Sequence, residues 1–436
     1  MRDTLTNHTY QIQSRFLFGA DGARSQVIRS VGIPLIKKPG QGLAINVLLK
    51  ADLSHLVTNR TGNLHWVFQP EREHPAWGWA CIVRMVRPWD EWMFIFLPPP
   101  GTDLSAADLV PTSKDSYLPR VKEFIGDDSV AVEILDVSRW NINETVAEYY
   151  SDGGNIFCLG DAVHRHPPFN GLGSNTCIQD AFNLAWKVAF VMDGKAGSSL
   201  LETYSTERQP VGVDIITRAN QGLRDHALWM SAIGMTEPDL TKRRAILAEF
   251  EDKGPVGEAR REMFLKGIEN TGTEFHGLGI EMNQQYRSPA VYHDDEPAPP
   301  SLPDDSVRER LISSYPGMRL PHAWLNARIP GKQFSTIDLA GKGKFCLLTR
   351  PGGGEVWKKA AEEVSRKVGV EISAYSIGWR EDFEDVYFDW AKRAEIQEGG
   401  CVLVRPDRFV AWRARGMVDS PEVKLEEVMR RVLCIE

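Results

Sequence analysis

The chain of 436 residues contains no run of about 18 apolar residues, so no membrane-spanning helix is expected. Its opening, MRDTLTNHTY, lacks the apolar stretch of a secretory signal. Cysteine is sparse: six residues, with no CxxC pair among them. That excludes a disulfide framework or a zinc ribbon as the organising device and points to a reducing compartment, the cytoplasm. Basic residues are in the minority, 51 against 59 acidic, for a net charge of −8. Bulk attraction to nucleic acid is therefore not expected. Repeats and low-complexity tracts are absent. Three sequons, at Asn7, Asn59 and Asn143, are read as chance matches without a secretory signal.

What remains is globular: 42% hydrophobic and 25% charged residues, in a length that suits two or three domains. Residues 10–18 read as a strand that becomes fully buried at its end, stopped by the turn GADG and followed by a short helix near 24–30. Short β-rich runs at 43–49, 64–68, 79–85 and 93–97 suit an antiparallel sheet. Helices are expected near 106–110 and 116–125, and a strand over 130–137. A buried strand at 155–159 leads through a loop at 160–173 into a helix over 174–192. A second helix follows at 199–219, with further helical segments between 239 and 268. The tract HDDEPAPPSLPDD at 293–305 reads as a linker. Beyond it, strands at 344–349 and 370–377, helices at 355–368 and 421–433, and a hairpin across RPDR form a compact α/β or α+β module.

Chemistry concentrates in NIFCLGDAVHRHPPFNGLGSNTCIQDAFNLAWK, residues 155–187. A carboxylate, Asp161, stands at a strand's C-terminal end, where open α/β sheets bind ligands, and can accept hydrogen bonds from sugar-like hydroxyls. Gly171 and Gly173 let bare backbone approach a ligand. The helix starting near Ser174-Asn175 aims its free N–H groups back at the same place and favours negative charge there. The segment FGADGARSQVIR, residues 18–29, repeats the logic of strand end, Asp, Gly turn and helix start.

Together these two segments resemble the signature of the aromatic-ring flavoprotein hydroxylases, the family of para-hydroxybenzoate and phenol hydroxylases. Residues 18–25 resemble its Asp-Gly motif, and Gly160-Asp161 with the loop after it its Gly-Asp motif. The wording GDAVHRHPPFNGLGSN with IQDAFNLAWK is most similar to the phenol and chlorophenol branch, as are RMVRPWDEW, YSTERQP, PGMRLPHAW and CVLVRPDRFVAWR. The resemblance implies α/β and α+β architecture: an FAD-binding Rossmann-like domain, an antiparallel-sheet substrate domain and a C-terminal thioredoxin-like domain without redox cysteines. The expected boundaries are 1–40 and 141–300 for the FAD domain, 41–140 for the substrate domain and 301–436 for the C-terminal domain. It also implies an activity, hydroxylation of a small phenolic ring with FAD as cofactor, NADPH as reductant and O2 as oxygen donor, and it allows a homodimer. Carried over by residue, Asp161, beside Gly160, would bind the ribityl chain. Pro168, Gly171, Gly173 and Asn175 would line the isoalloxazine edge. Asp21, Gly22 and Arg24 would support the pyrophosphate region and the approach of the nicotinamide cofactor.

One family feature is missing. No G-x-G-x-x-G occurs, although that turn cradles the FAD pyrophosphate. About twenty residues precede the Asp-Gly motif, where the family has well over a hundred. The expectation is an N-terminally shortened chain, with the catalytic base not placeable. The rival readings are a non-catalytic remnant serving as a dimerisation or binding module, and a flavin oxidase or dehydrogenase of a non-phenolic metabolite. His164 and His166 are read as loop-structural rather than metal ligands. Trp66, Trp77, Trp79, Trp89 and Trp92 are read as core rather than substrate lining.

Overall fold

The structure is a computed structural model that describes residues 2–38, 42–59, 62–99, 101–102, 110–327 and 329–435. The helix expected at 106–110 falls almost wholly outside these residues. The chain divides into two compact units. One holds residues 1–36, 145–218 and 275–436; the other holds 37–144 and 219–274. The sequence boundaries had placed the whole of 141–300 in the cofactor domain. Instead, 219–274 belong with the antiparallel sheet, because the helices there cover one of its faces.

That sheet runs in the order Leu64–Val67, Ala80–Arg87, Glu91–Leu97, Leu43–Lys50 and Glu133–Asn141, antiparallel throughout. Strand periodicity sorts its side chains onto two faces. Ile45, Val47, Leu49, Phe94 and Phe96 pack with Val121 and Phe124 of the helix Leu118–Ile125. Ala44, Ile82 and Leu97 lie on the other face with Trp229 and Met230 of the helix Ala227–Ala232. Trp77 and Trp92 join the first cluster and Trp79 the second, with Trp66 partly buried against it. Trp89 is exposed, so for that residue a core position is not found.

In the other unit the strand Leu17–Gly19 pairs in parallel with Ile156–Cys158, Phe18 opposite Phe157. The expected strand over 10–18 shrinks to these three residues. Leu17 and Phe18 are 45% and 47% exposed rather than fully buried, because only one flank of the strand is paired among the described residues. The C-terminal module matches its expected elements closely. Ile372–Ser376, Phe345–Thr349, Cys401–Val404 and Val410–Ala414 form a four-stranded sheet, with the first pair parallel and the rest antiparallel. The helices Gly354–Val368 and Pro421–Val432 share a core with one face. That core continues into Trp186 and Phe190 of the helix Leu172–Met192, whose rings meet Phe345 at 5.9 and 6.2 Å. The tract read as a linker is tied down along this join. Glu296 pairs with Arg413, both buried, and Asp295 accepts from Trp412 Nε1 at 2.8 Å.

Candidate functional site

Parallel pairing of Leu17–Gly19 with Ile156–Cys158 brings both motif turns out at the same sheet edge. The Leu159 amide donates to the Gly19 carbonyl (3.1 Å), extending the register to the turns themselves. Both turns need glycine. A Cβ on Gly19 would lie 2.9 Å from Cys158 Sγ. Gly160 has φ +59°, and a Cβ there would lie 2.8 Å from Cys177 Sγ. No side chain larger than hydrogen fits at either position without displacing the sulfur.

The two aspartates then part ways. Asp21 turns toward the helix Gln26–Val31 and accepts from the amides of Gln26 (2.7 Å) and Val27 (3.2 Å), while Ser25 caps Ile28. Slight burial raises the Asp21 pKa, but the Ser25 hydroxyl and these amides outweigh it and hold the carboxyl below its ordinary range. Asp161 sits in the single 3-10 turn Gly160–Ala162 and is exposed. Its carbonyl accepts from Arg165 Nε (2.8 Å), but its carboxylate has no hydrogen bond or ion pair among the described residues. Gly22 adopts φ +75°, and Arg24 is exposed without an ion pair among the described residues.

The loop after Asp161 is rigidly routed. His164–Arg165 pairs with Thr145–Ala147, and His166 Nδ1 meets the Pro167 carbonyl at 2.7 Å. Pro168 is exposed, Phe169 is buried, and Asn170 and Gly171 both take positive φ (65° and 61°). The helix begins at Leu172, two residues earlier than expected, with Gly171 as an N-cap that supplies no side-chain bond. Among the described residues its first-turn N–H groups have no side-chain partner, and open space lies beside Gly171 where a Cβ would point. Gly173 stands against the His166 ring, and Asn175 Nδ2 donates to the Gly171 carbonyl (2.9 Å).

Beneath this surface lies a group that sequence reasoning missed. Asp180 is wholly buried. Its Oδ2 accepts from the Gly160 amide (3.2 Å) and contacts His164 Nε2 (2.8 Å), and its Oδ1 accepts from Arg208 Nε (2.8 Å). Burial alone would raise the Asp180 pKa; the Arg208 guanidinium and His164 outweigh it and hold the carboxyl low. A second buried cluster follows one turn along the same helix. Glu207 is gripped by Arg405 (2.6 and 2.8 Å) and Lys187 (2.7 Å), while Asn183 bonds both Glu207 and Asp407. Burial pulls the Lys187 pKa down to about 8, against the opposing pull of Glu207. The signal was available: Asp180, Asn183 and Lys187 are spaced i, i+3, i+7, a polar stripe on a helix that also buries Leu184, Trp186, Val188 and Phe190. Among the described residues no cluster of three or more His, Cys, Asp or Glu could hold a metal ion, and no helix is long and apolar enough to cross a membrane.

The site's features suit the flavin half of FAD: an uncommitted carboxylate, positive-φ backbone with room beside it, and a helix end without a side-chain cap. Comparison with known proteins points the same way. Residues 1–219 match the FAD binding domain family, and residues 313–434 match the aromatic-ring hydroxylase C-terminal family. The chain is 40% identical to a 2,4-dichlorophenol 6-monooxygenase of Cupriavidus pinatubonensis (strain JMP 134 / LMG 1197), over 99% of this chain and 71% of that protein. It is 37% identical to a phenol 2-monooxygenase of Pseudomonas sp. (strain EST1001), over 98% of this chain and 67% of that one. A solved flavin-dependent monooxygenase, PieE, bound to FAD and substrate, superposes with a TM-score of 0.89 at 37% identity, covering all of this chain and 73% of that structure. The chain thus spans about two thirds to three quarters of the length of these relatives. This chain belongs to the FAD-dependent aromatic-ring hydroxylases.

Proposed function

We propose that the chain acts as an FAD-dependent monooxygenase that hydroxylates a phenolic ring, ortho to its hydroxyl, at the expense of NADPH and O2. The observation that carries this reading is the Asp161 carboxylate, exposed and uncommitted at the edge of a parallel strand pair beside the open start of the helix Leu172–Met192. Asp161 would accept hydrogen bonds from the ribityl hydroxyls. Gly160, Pro168, Gly171, Gly173 and Asn175 would border the ring system, where the positive φ of Gly171 exposes backbone rather than side chain. The first-turn amides of that helix would face negative charge as it develops on the bound ring, an arrangement whose strength lies in donors fixed in advance. FAD, when bound, supplies the oxygen chemistry, while the protein supplies binding, orientation and electrostatics. The Gly22 turn would hold backbone near the dinucleotide. Arg24, exposed and without an ion pair among the described residues, would be available to the phosphates of NADPH. The relatives named for phenol and dichlorophenol support a phenolic substrate class. Six cysteines free of disulfides fit a cytoplasmic address, and we take a homodimer as the assembly.

The test supplies isotopically labelled O2, NADPH, FAD and a panel of phenols to the protein. One labelled atom in a catechol product is the expected result. NADPH oxidation without label in any product overturns the reading in favour of an oxidase. No FAD binding at all favours a remnant.

A further inference from the structure

The Gly160-Asp161 turn is anchored from below by one side chain, and the geometry of that anchor extends the flavin-site reading, on which this inference rests. We infer that Asp180 is the positioning residue of the site: by holding the Gly160 amide and the His164 ring on one oxygen, it fixes the direction in which Asp161 presents its carboxylate to a hydroxylated ligand.

Three observations carry this. The first is the division of labour within the carboxylate. A simple counterion for Arg208 would need only the Oδ1 contact at 2.8 Å, yet Oδ2 is given entirely to two residues flanking Asp161 in the chain, at 3.2 and 2.8 Å. The second is that Arg208 does not depend on Asp180 alone. Its other nitrogens reach Tyr286 Oη (3.0 Å), Gln284 Oε1 (3.3 Å), Gln179 Oε1 and the Thr176 carbonyl, so the guanidinium is itself a fixed post against which Asp180 is braced. The third is placement. Asp180 lies eight residues into the helix Leu172–Met192, about 12 Å along the axis from its open end. It is therefore too deep to touch the ligand, but it sits on the same rigid rod whose first turn faces it. Through Asp180 the turn and the helix end are locked into one frame, so the distance between the Asp161 carboxylate and the first-turn amides cannot drift independently. Gly160 needs such a tether: its positive φ lets the chain turn sharply, and its amide would otherwise be a buried donor without a partner. In Asp180→Asn, the new NH2 must face either the Gly160 N–H or the Arg208 N–H, donor against donor.

The test compares the parent chain with Asp180→Asn and with the double variant Asp180→Leu/Arg208→Met, which removes both buried charges together and leaves the Gly160 amide no acceptor at that position. Three quantities are read: amide exchange at Gly160, FAD affinity by flavin fluorescence, and the midpoint potential of the bound flavin. Expected in both variants are at least tenfold faster exchange at Gly160, about tenfold weaker FAD binding and a displaced midpoint potential, with exchange in the Phe345–Thr349 strand unchanged. A purely structural Asp180 would lower the melting temperature and leave affinity and potential at the parent values, which would overturn the inference. Should neither variant fold, the parent decides. A Gly160 amide exchanging as fast as those of the exposed Gly153-Gly154 turn overturns the inference, and protection matching the helix supports it. The exchange measurement needs no cofactor, so a parent that binds no FAD refutes the functional reading while the tether is still tested.

Discussion

Asp21 and Asp161 leave adjacent parallel strands at the same edge, one following Gly-Ala and the other Leu-Gly, and they end in opposite states. Asp21 is followed within five residues by a helix start, and its carboxylate is consumed by two backbone amides there. Asp161 is followed by a strand-paired loop and a pair of prolines, so the next helix starts eleven residues on and its amides lie beyond local reach. Its carboxylate is left for something outside the chain. What separates a cap from a ligand group is thus the length and stiffness of the connection that follows, not the residue or its place on the sheet.

Four measurements would break or sharpen that contrast. A carboxylate more fully committed than Asp21 should show the largest effect. Glu207→Ala leaves Arg405 and Lys187 buried without their shared partner and should lower unfolding free energy by about 3–5 kcal/mol, read from denaturant melts. Asp161→Ala should leave the melt unchanged but weaken FAD retention. Two hydrogen bonds at about 0.5–1.5 kcal/mol each correspond to roughly a ten- to hundredfold loss, seen as flavin lost on dialysis. Equal occupancy in mutant and parent would remove Asp161 from the flavin site. The contrast recurs within one imidazole. His74 Nδ1 is engaged by Arg120 at 2.8 Å, and its buried Nε2 has no hydrogen-bond partner among the described residues. Burial, helped by the charges of Arg120 and Arg243, lowers its pKa from an ordinary 6.5 to about 4. Between those values the unfolded chain takes up a proton that the native state refuses, so stability should fall as pH drops through that window. After allowance for its partial exposure, the loss between pH 7 and 5 should be about 1 kcal/mol, and it should vanish in His74→Gln. Smallest is Asp21→Ala. With Ser25 still capping the helix, the expected cost is roughly 0.5 kcal/mol, visible as a slight drop in melting temperature with FAD affinity unchanged. A large loss of affinity there would erase the distinction.

Much of the fold was legible from residue patterns. The alternation of 43–49 and 93–97 located the antiparallel sheet, and the hairpin across RPDR and both C-terminal helices fell within a residue or two of their expected bounds. The local geometry of the candidate site was legible where backbone chemistry dictates it: Gly160 and Gly171 take positive φ, and Asp161 stands exposed at the strand's end. Asp180 was missed: the polar stripe it forms with Asn183 and Lys187 marks a helix face but not a partner, and its cation, Arg208, lies 28 residues away in sequence. The strand over 10–18 was overextended because apolar alternation signals burial only when a neighbour covers it, and pairing reaches Leu17–Gly19 alone. The linker at 293–305 was misread for the opposite reason. Its acidic residues looked solvated, yet Glu296 is buried against Arg413, a partner more than a hundred positions away.

The turn Arg405–Asp407 bears on how such proteins can be recombined. It sets a guanidinium against Glu207 and a carboxylate against Asn183, groups that belong to the other family segment of the chain. A crossover that exchanged residues 313–434 for those of a distant relative would succeed only if the incoming piece carried a matching Arg-x-Asp at the same hairpin; otherwise buried Glu207 would lose both Arg405 bonds and keep Lys187 as its one cation among the described residues. The two segments are therefore constrained to change together, and a chimera library from this family should retain function only where both sides of that contact come from one parent or from parents that share it.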